Sequence, residues 1–437
     1  MSSLLSRQPR FRLEPWQRNQ YAVVLAVALA FGAFELTQSF VPLFIRELGE
    51  EENASFWSGL IAGVAPLCAA VMGPFWGNLA DRYGRKPMVL RALVFISVMQ
   101  FACAWVPNVQ WLFAVRVLMG LFAGFTSMAM ALAIGVSPRD KMAQAIGLVQ
   151  AAQIAPAAIG PIIGGVLTDT LGMRTTFMIT GIMLIVPSAV FGFMVKESFD
   201  RDAAKPSSKK GGAGGSMLSL LAIPGFAAAL AILFVARFTE RALPPILPLY
   251  LIELDTPTAQ LATITGFVVS SGAMAATCSS IAYGRRSSPE NTRRLLLIAL
   301  AGGALCAGLF ALAGDWVQVV VLRVILGLLA GGTMSLAYTM GARLAPTERS
   351  GLTLSVLASC GMLGGAVSPM LAGIIGQYSL RVVFLAVAVA YVVGAALAAI
   401  PMLRRARTTS AEESAASAAS APAGDPTGEP VSRPASQ

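Results

Sequence analysis

Six ionisable residues, Glu35, Arg116, Arg237, Glu240, Arg241 and Arg323, stand inside long apolar runs of this chain. A charge at the centre of a membrane-spanning helix costs about 2.5–3.5 kcal/mol on insertion scales, so such a group marks a pathway by default. The chemistry open to these six is ion pairing and proton carriage. A carboxyl that moves between water and a low-dielectric cavity takes up a proton in one setting and releases it in the other. Glu35 is read as the main proton carrier with Arg116 as its partner, and Glu240 with Arg323 as a second acid and arginine pair. The bland alternative makes both glutamates permanent salt-bridge partners that orient helices. It has a specific form in Arg237, Glu240 and Arg241, whose i, i+3, i+4 spacing lets Glu240 neutralise Arg237 on its own helix.

The elements that must position these groups follow from composition. Of 437 residues 56% are hydrophobic and 12% charged, with no histidine, and the mean hydropathy is +0.70. A soluble enzyme, a disordered scaffold and a histidine-ligated metalloenzyme are poor fits to that balance. The five cysteines stand singly in apolar runs and read as small core residues rather than metal ligands or disulfides. Apolar runs fall at 21–45, 57–78, 89–106, 110–134, 143–168 and 175–195, then at 222–251, 260–283, 295–314, 316–342, 351–376 and 381–403. At ~20 residues per crossing these are twelve transmembrane helices, spans 1 to 12. The basic start leads into a full-length first span without a clear cleavage site, so no signal peptide is expected.

The net charge of +10 follows topology rather than a nucleic-acid face. The N-terminus, the loops after even-numbered spans with Arg91 at the start of span 3, and the C-terminal tail hold 25 of the 32 Lys and Arg residues, and the opposite side holds three, Arg46, Arg174 and Arg381 at the start of span 12. The positive-inside bias therefore places both termini in the cytoplasm. The chain also repeats. Arg116, Gly120, Gly124 and Thr126 of span 4 return as Arg323, Gly327, Gly331 and Thr333 of span 10, an offset of 207 residues, and the Pro42 to Leu48 segment returns at Pro248 to Leu254. The expected organisation is a cytoplasmic N-terminus (1–18), a six-helix bundle (19–196), a linker (197–219), a second six-helix bundle (220–403) and a disordered tail (404–437). Transporters built from such halves hold substrate between them near the bilayer midplane and expose it alternately to each side.

The loop between spans 2 and 3, Gly77-Asn-Leu-Ala-Asp81-Arg82-Tyr-Gly84-Arg85-Lys86, resembles the signature loop of the major facilitator superfamily. Arg116 and Gly120 resemble that superfamily's Arg-x-x-x-Gly helix. Gly160-Pro161-Ile-Ile-Gly164-Gly165 in span 5 is similar to the Gly-Pro-x-x-Gly-Gly motif of its drug:proton antiporters, with Pro156 where the family's leading glycine stands. The resemblance covers about residues 19–403 and implies an all-α fold of two pseudo-symmetric six-helix bundles with a cavity lined by spans 1, 4, 7 and 10, the spans that carry the six charges. It also implies that the signature loop latches the outward-facing state, with Asp81 near the start of span 11 around Ser350 and Arg85 near Asp140. Gly77 and the pair Gly160 and Gly164 would allow close helix approach, and Pro161 would bend span 5 against the other bundle.

The activity implied is proton-coupled efflux of small organic compounds, drugs among them, across a bacterial inner membrane. An importing symporter or facilitator on the same fold is the alternative, and a receptor or membrane enzyme lacks any visible catalytic constellation. No cofactor is implied, and no Walker A sequence is present. The expected partners are a small-molecule substrate, protons and the lipid bilayer, with no nucleic acid and a monomeric chain. Phe31, Phe34, Gln38, Met119, Gln150, Gln153, Arg237 and Arg241 are the candidate cavity residues. Four intramembrane arginines against two glutamates favour anionic or zwitterionic amphiphiles.

Overall fold

The computed structural model describes residues 14–138, 141–195, 197, 225–288, 290–344 and 350–419. Among these the secondary structure is wholly helical, and eleven helical stretches are long and apolar enough to cross a membrane. Span 7 is the exception, because its helix Phe226–Ala242 has 17 residues and adjoins residues outside those described. Most of the expected linker lies there too. The last helix, Leu380–Ala419, continues into the tail whose composition predicts disorder. Its alanines extend a helix already nucleated in the membrane, the cheapest place to add helical residues.

Several spans are interrupted, and the interruptions follow the duplication. Span 1 runs Pro15–Gln38, breaks, and resumes as Val41–Glu47. Span 7 breaks after Ala242 and resumes as Leu247–Glu253. Both short helices carry proline in their first turn, where its missing N–H costs nothing. Span 4 divides into Val109–Leu121 and Phe125–Val136 around Gly124, whose φ of 115° only glycine adopts without strain. Carbonyls freed by that break need partners in a membrane. Trp76 Nε1 donates to Leu121 O at 2.7 Å, and Arg91 Nη2 reaches Phe122 O at 3.3 Å. Span 10 divides in register, into Trp316–Ala330 and Thr333–Leu344.

The two bundles meet along two seams at the face opposite the chain termini. In one, the start of span 2 (Ala54–Tyr83) packs against the end of span 11 (Ser350–Gly376). A Cβ on Gly59 would overlap Pro369 O, and one on Gly63 would lie 2.5 Å from Ala366 O. In the other, the end of span 5 (Pro156–Leu171) packs against the start of span 8 (Leu261–Arg286). There a Cβ on Gly165 would overlap Ala262 O, and one on Gly266 would overlap Pro161 O. Glycine thus lets helix backbones touch where water-driven burial is absent and packing supplies the attraction. Toward the termini the same stripe of span 2 loses its neighbours. Pro66 and Pro74 are exposed, and nothing among the described residues lies within 4 Å of a Cβ built on Gly73 or Gly77. The gap between the bundles opens toward the face that carries the termini.

Candidate functional site

Glu35 lies in the last turn of the helix Pro15–Gln38, where the negative end of the helix dipole disfavours a carboxylate. Span 5 holds it there through a stripe of small contacts. A Cβ on Gly32 would lie 3.9 Å from Pro156, one on Gly160 would lie 2.6 Å from the Glu35 Cβ, and one on Gly164 would overlap Leu36 O. The glutamate is half-buried, and the cation whose charge reaches it is Arg241 of the other bundle. Glu35 stands seven residues before Pro42, and Arg241 stands seven before Pro248. In the register of the duplicated span ends the two occupy the same position, so the pseudo-symmetry itself sets acid against base across the gap.

Arg116 is 2% exposed. Its Nη1 donates to Gln38 Oε1 at 3.1 Å, its guanidinium carbon lies 6.0 Å from the centre of the Phe34 ring, and Nε and Nη2 find no acceptor among the described residues. No ion pair joins Arg116 to Glu35 among the described residues, contrary to the expected pairing. Arg116 takes instead the amide of Gln38, about one turn further along the same helix. Gln38→Leu leaves a buried guanidinium with no side-chain acceptor. It is expected to cost about 1.5–3 kcal/mol, read as a lower unfolding midpoint in detergent.

In the second bundle Arg237 Nη1 donates to Glu240 Oε2 at 3.0 Å, which is the alternative that the i, i+3 spacing allowed. Arg323 forms no ion pair with Glu240 among the described residues and feels it only at longer range. It packs against span 8 instead, where a Cβ on Gly272 would lie 2.6 Å from its Cγ. Two tyrosines complete this side. Tyr391 lies close enough to Thr239 and Arg323, and Tyr338 to Arg237, for each to feel the other electrostatically. Sequence reasoning passed over both, although a phenol inside an apolar span is the available signal. Of the remaining cavity candidates, Met119 is 5% exposed and packs in the core. Phe31 lies 6.2 Å from Phe125, Gln150 is exposed, and Gln153 Nε2 is buried without an acceptor among the described residues.

The signature loop is held within its own bundle. Glu197 accepts from the backbone N–H groups of Arg85 and Lys86 at 2.9 and 2.8 Å, capping the helix Arg85–Ala102, which begins after Gly84 at φ 97°. Arg85 also donates to Ala131 O at 2.7 Å and pairs with Asp81 at 3.7 Å. Lys86 Nζ donates to Gly192 O at 2.8 Å, and Arg82 lies over Tyr83. Asp140 and the side chain of Ser350, the expected latch partners, lie outside the described residues, and Gly77 has an open face in this state. Glu197→Ala removes both caps of span 3 and is expected to cost about 1–2 kcal/mol, seen as a lower unfolding midpoint.

The span 5 motif has two working faces. Gly160 and Gly164 receive span 1, while Pro161 and Gly165 meet span 8 of the other bundle. The interruption of the span falls at Ala155–Pro156, between helices Met142–Ile154 and Pro156–Leu171, and Pro161 lies within the second of these. Two six-helix bundles, broken cavity helices in register and a small-residue seam between them form the geometry of an alternating-access transporter. The sequence matches the family model of the Major Facilitator Superfamily over residues 23–314 and again over 229–434. The chain belongs to this superfamily. It is similar to the multi-drug resistance efflux pump PmrA homolog of Lactococcus lactis, with 30% identity over 371 residues, covering 83% of this chain and 89% of that protein. It is also similar to the multidrug resistance protein MdtG of Yersinia enterocolitica, with 31% identity over 379 residues, covering 86% and 90%. Among solved structures, a bacterial homolog of the human lysosomal transporter Spinster, inward-facing and occupied, superposes with a TM-score of 0.72. The identity is 17%, over 89% of this chain and 97% of that one. As a member of the Major Facilitator Superfamily the chain is a membrane transporter.

Proposed function

We propose that this superfamily member exports small organic compounds, several drugs among them, in exchange for protons across a bacterial inner membrane. Both termini lie in the cytoplasm, as the 25 to three distribution of Lys and Arg supports. In that orientation the open gap faces the cytoplasm, so the structure corresponds to the inward-facing half of the cycle. The relatives named as multidrug efflux pumps favour export over the importing alternative.

The observation that carries the coupling is the position of Glu35. It sits at a helix end, half-buried, against Gly160, with its counter-charge Arg241 on the other bundle. When the bundles rock, the distance between acid and guanidinium changes, and with it the free energy of the carboxylate. Proton release then accompanies one conformation and proton uptake the other. A substrate that displaces Arg241 from Glu35 has the same effect, which links the two flows. Arg116, Arg237, Arg241 and Arg323 outnumber the two glutamates, a balance that supports anionic or zwitterionic amphiphiles as preferred cargo. The proposed complex is one chain, its substrate and protons in a lipid bilayer, with no resident cofactor.

The test uses everted vesicles with an imposed acid-inside gradient and a panel of anionic, zwitterionic and cationic drugs. Export by antiport requires that some compounds discharge the gradient, with anionic and zwitterionic ones ranked first. A panel that produces no discharge, in vesicles where a control antiporter responds, would remove the exporter reading and turn attention to uptake.

A further inference from the structure

Asp169 stands at the end of span 5 and reaches across the seam into the second bundle. Its Oδ1 accepts from the Ala262 N–H at 3.1 Å, and its Oδ2 accepts from the Thr263 N–H at 2.7 Å and the Thr263 hydroxyl at 2.6 Å. Those donors open the helix Leu261–Arg286, whose own preceding residue, Gln260, makes no side-chain cap. The first amides of a helix need acceptors, and its positive dipole end favours an anion. A carboxylate 93 and 94 residues away in sequence supplies both.

We infer that Asp169 is a positioning residue of the transport cycle, a latch that holds the bundles together at the face opposite the termini and must be released before that face opens. The neighbouring contacts of Gly165 and Gly266 are close packing, which is lost gradually as helices separate. Hydrogen bonds to a charged acceptor are about twice as strong as neutral ones, and three of them on one carboxylate break within the first ångström or two of separation. The latch therefore makes this closure two-state rather than graded. Among the described residues no carboxylate bridges the other seam in this way. At the offset of 207 that relates Arg174 to Arg381, Asp169 corresponds to Gly376, where a Cβ would overlap Ser55 Oγ. The span 2 and span 11 seam thus carries a glycine, and no acid, at that point. It is joined there by Ser55 Oγ donating to Gly373 O at 3.1 Å. Opening begins, on this account, from the span 2 and span 11 side.

The inference concerns which residue holds the closed face and uses the transport reading only for its role in a cycle. Its test needs no substrate, so its failure is separable from failure of the exporter reading. Spin labels on Gln110→Cys and Val317→Cys, exposed positions in the first turns of spans 4 and 10, report the width of that face by pulsed electron resonance in a cysteine-free background. Asp169→Ala is expected to raise the ratio of the open to the closed population about tenfold or more, the equivalent of one charged hydrogen bond at about 1.5 kcal/mol. Thr263→Val, which removes the hydroxyl alone, shifts the ratio in the same direction by a smaller factor. Asp315→Ala, an acid at the start of span 10 without a cap bond, leaves it unchanged. A wild-type distribution in folded Asp169→Ala overturns the latch, as does an equal shift in Asp315→Ala. Should Asp169→Ala not fold, Asp169→Asn and Thr263→Val decide it, and two unshifted distributions would discard the inference.

Discussion

Glu35→Gln is expected to reduce substrate-driven discharge of a proton gradient in everted vesicles to the level of vesicles lacking the transporter. Glutamine keeps the volume and hydrogen-bonding reach of the side chain and so preserves its fit against Gly160 of span 5. It removes the titration. Arg241 then faces a permanently neutral group, and rocking of the bundles no longer changes the affinity for a proton. Substrate binding, followed by quenching of intrinsic fluorescence, should survive, because the cavity aromatics and arginines are untouched. The outcome that sinks this assignment is a variant that discharges the gradient as wild type does. The carrier would then have to be another carboxylate, with Glu240 first, and its 3.0 Å pairing with Arg237 would become the switch instead.

Valine at either seam glycine should trap the transporter with the face opposite the termini open. A side chain at Gly266 overlaps the backbone oxygen of Pro161, and one at Gly59 overlaps that of Pro369. Backbone atoms of packed helices cannot swing aside as a flexible side chain can, so the bundles must part. Overpacking of this kind costs about 1–3 kcal/mol, which is a shift of about 5–150-fold between two states. Labelling of Phe34→Cys with an impermeant maleimide measures it, rising from the face opposite the termini and falling from the face of the termini, while transport is lost. Gly77→Val is the paired experiment. Nothing lies within 4 Å of its Cβ position in this state, so the observed conformation accepts it. Should the signature loop approach span 11 in the other state, Gly77→Val biases the transporter the opposite way. Equal labelling in all three variants would show that these glycines do not control the closure.

Much of this molecule is written in local patterns. Hydropathy placed the spans to within a few residues, because a membrane demands about 20 apolar residues wherever a helix crosses it. The offset of 207 exposed the duplication, which reappears in the paired breaks near Gly124 and Gly331 and, at an offset of 206, in the short helices that contain Pro42 and Pro248. The span 5 motif was legible as a contact between bundles, since a helix that touches another backbone to backbone must lack side chains there. Six charges in four spans suggested a pathway, but the pairs read from them, Glu35 with Arg116 and Glu240 with Arg323, do not form among the described residues.

The pairs were decided by tertiary structure. Glu35 and Gln38 lie about one turn apart on the same helix, and the packing of span 4 gave Arg116 the amide rather than the acid. The docking of the bundles, rather than any pairing read along the chain, brought the charge of Arg241 to Glu35. Asp169 was unreadable for a different reason. Its sequence neighbours mark nothing but a helix end, and its three donors are brought to it by the docking of the second bundle. Sequence by itself determined the span pattern, the duplication and the kind of chemistry available. The docking of one half on the other chose which charges meet and which face is shut, because those depend on rotations and separations that no local pattern encodes.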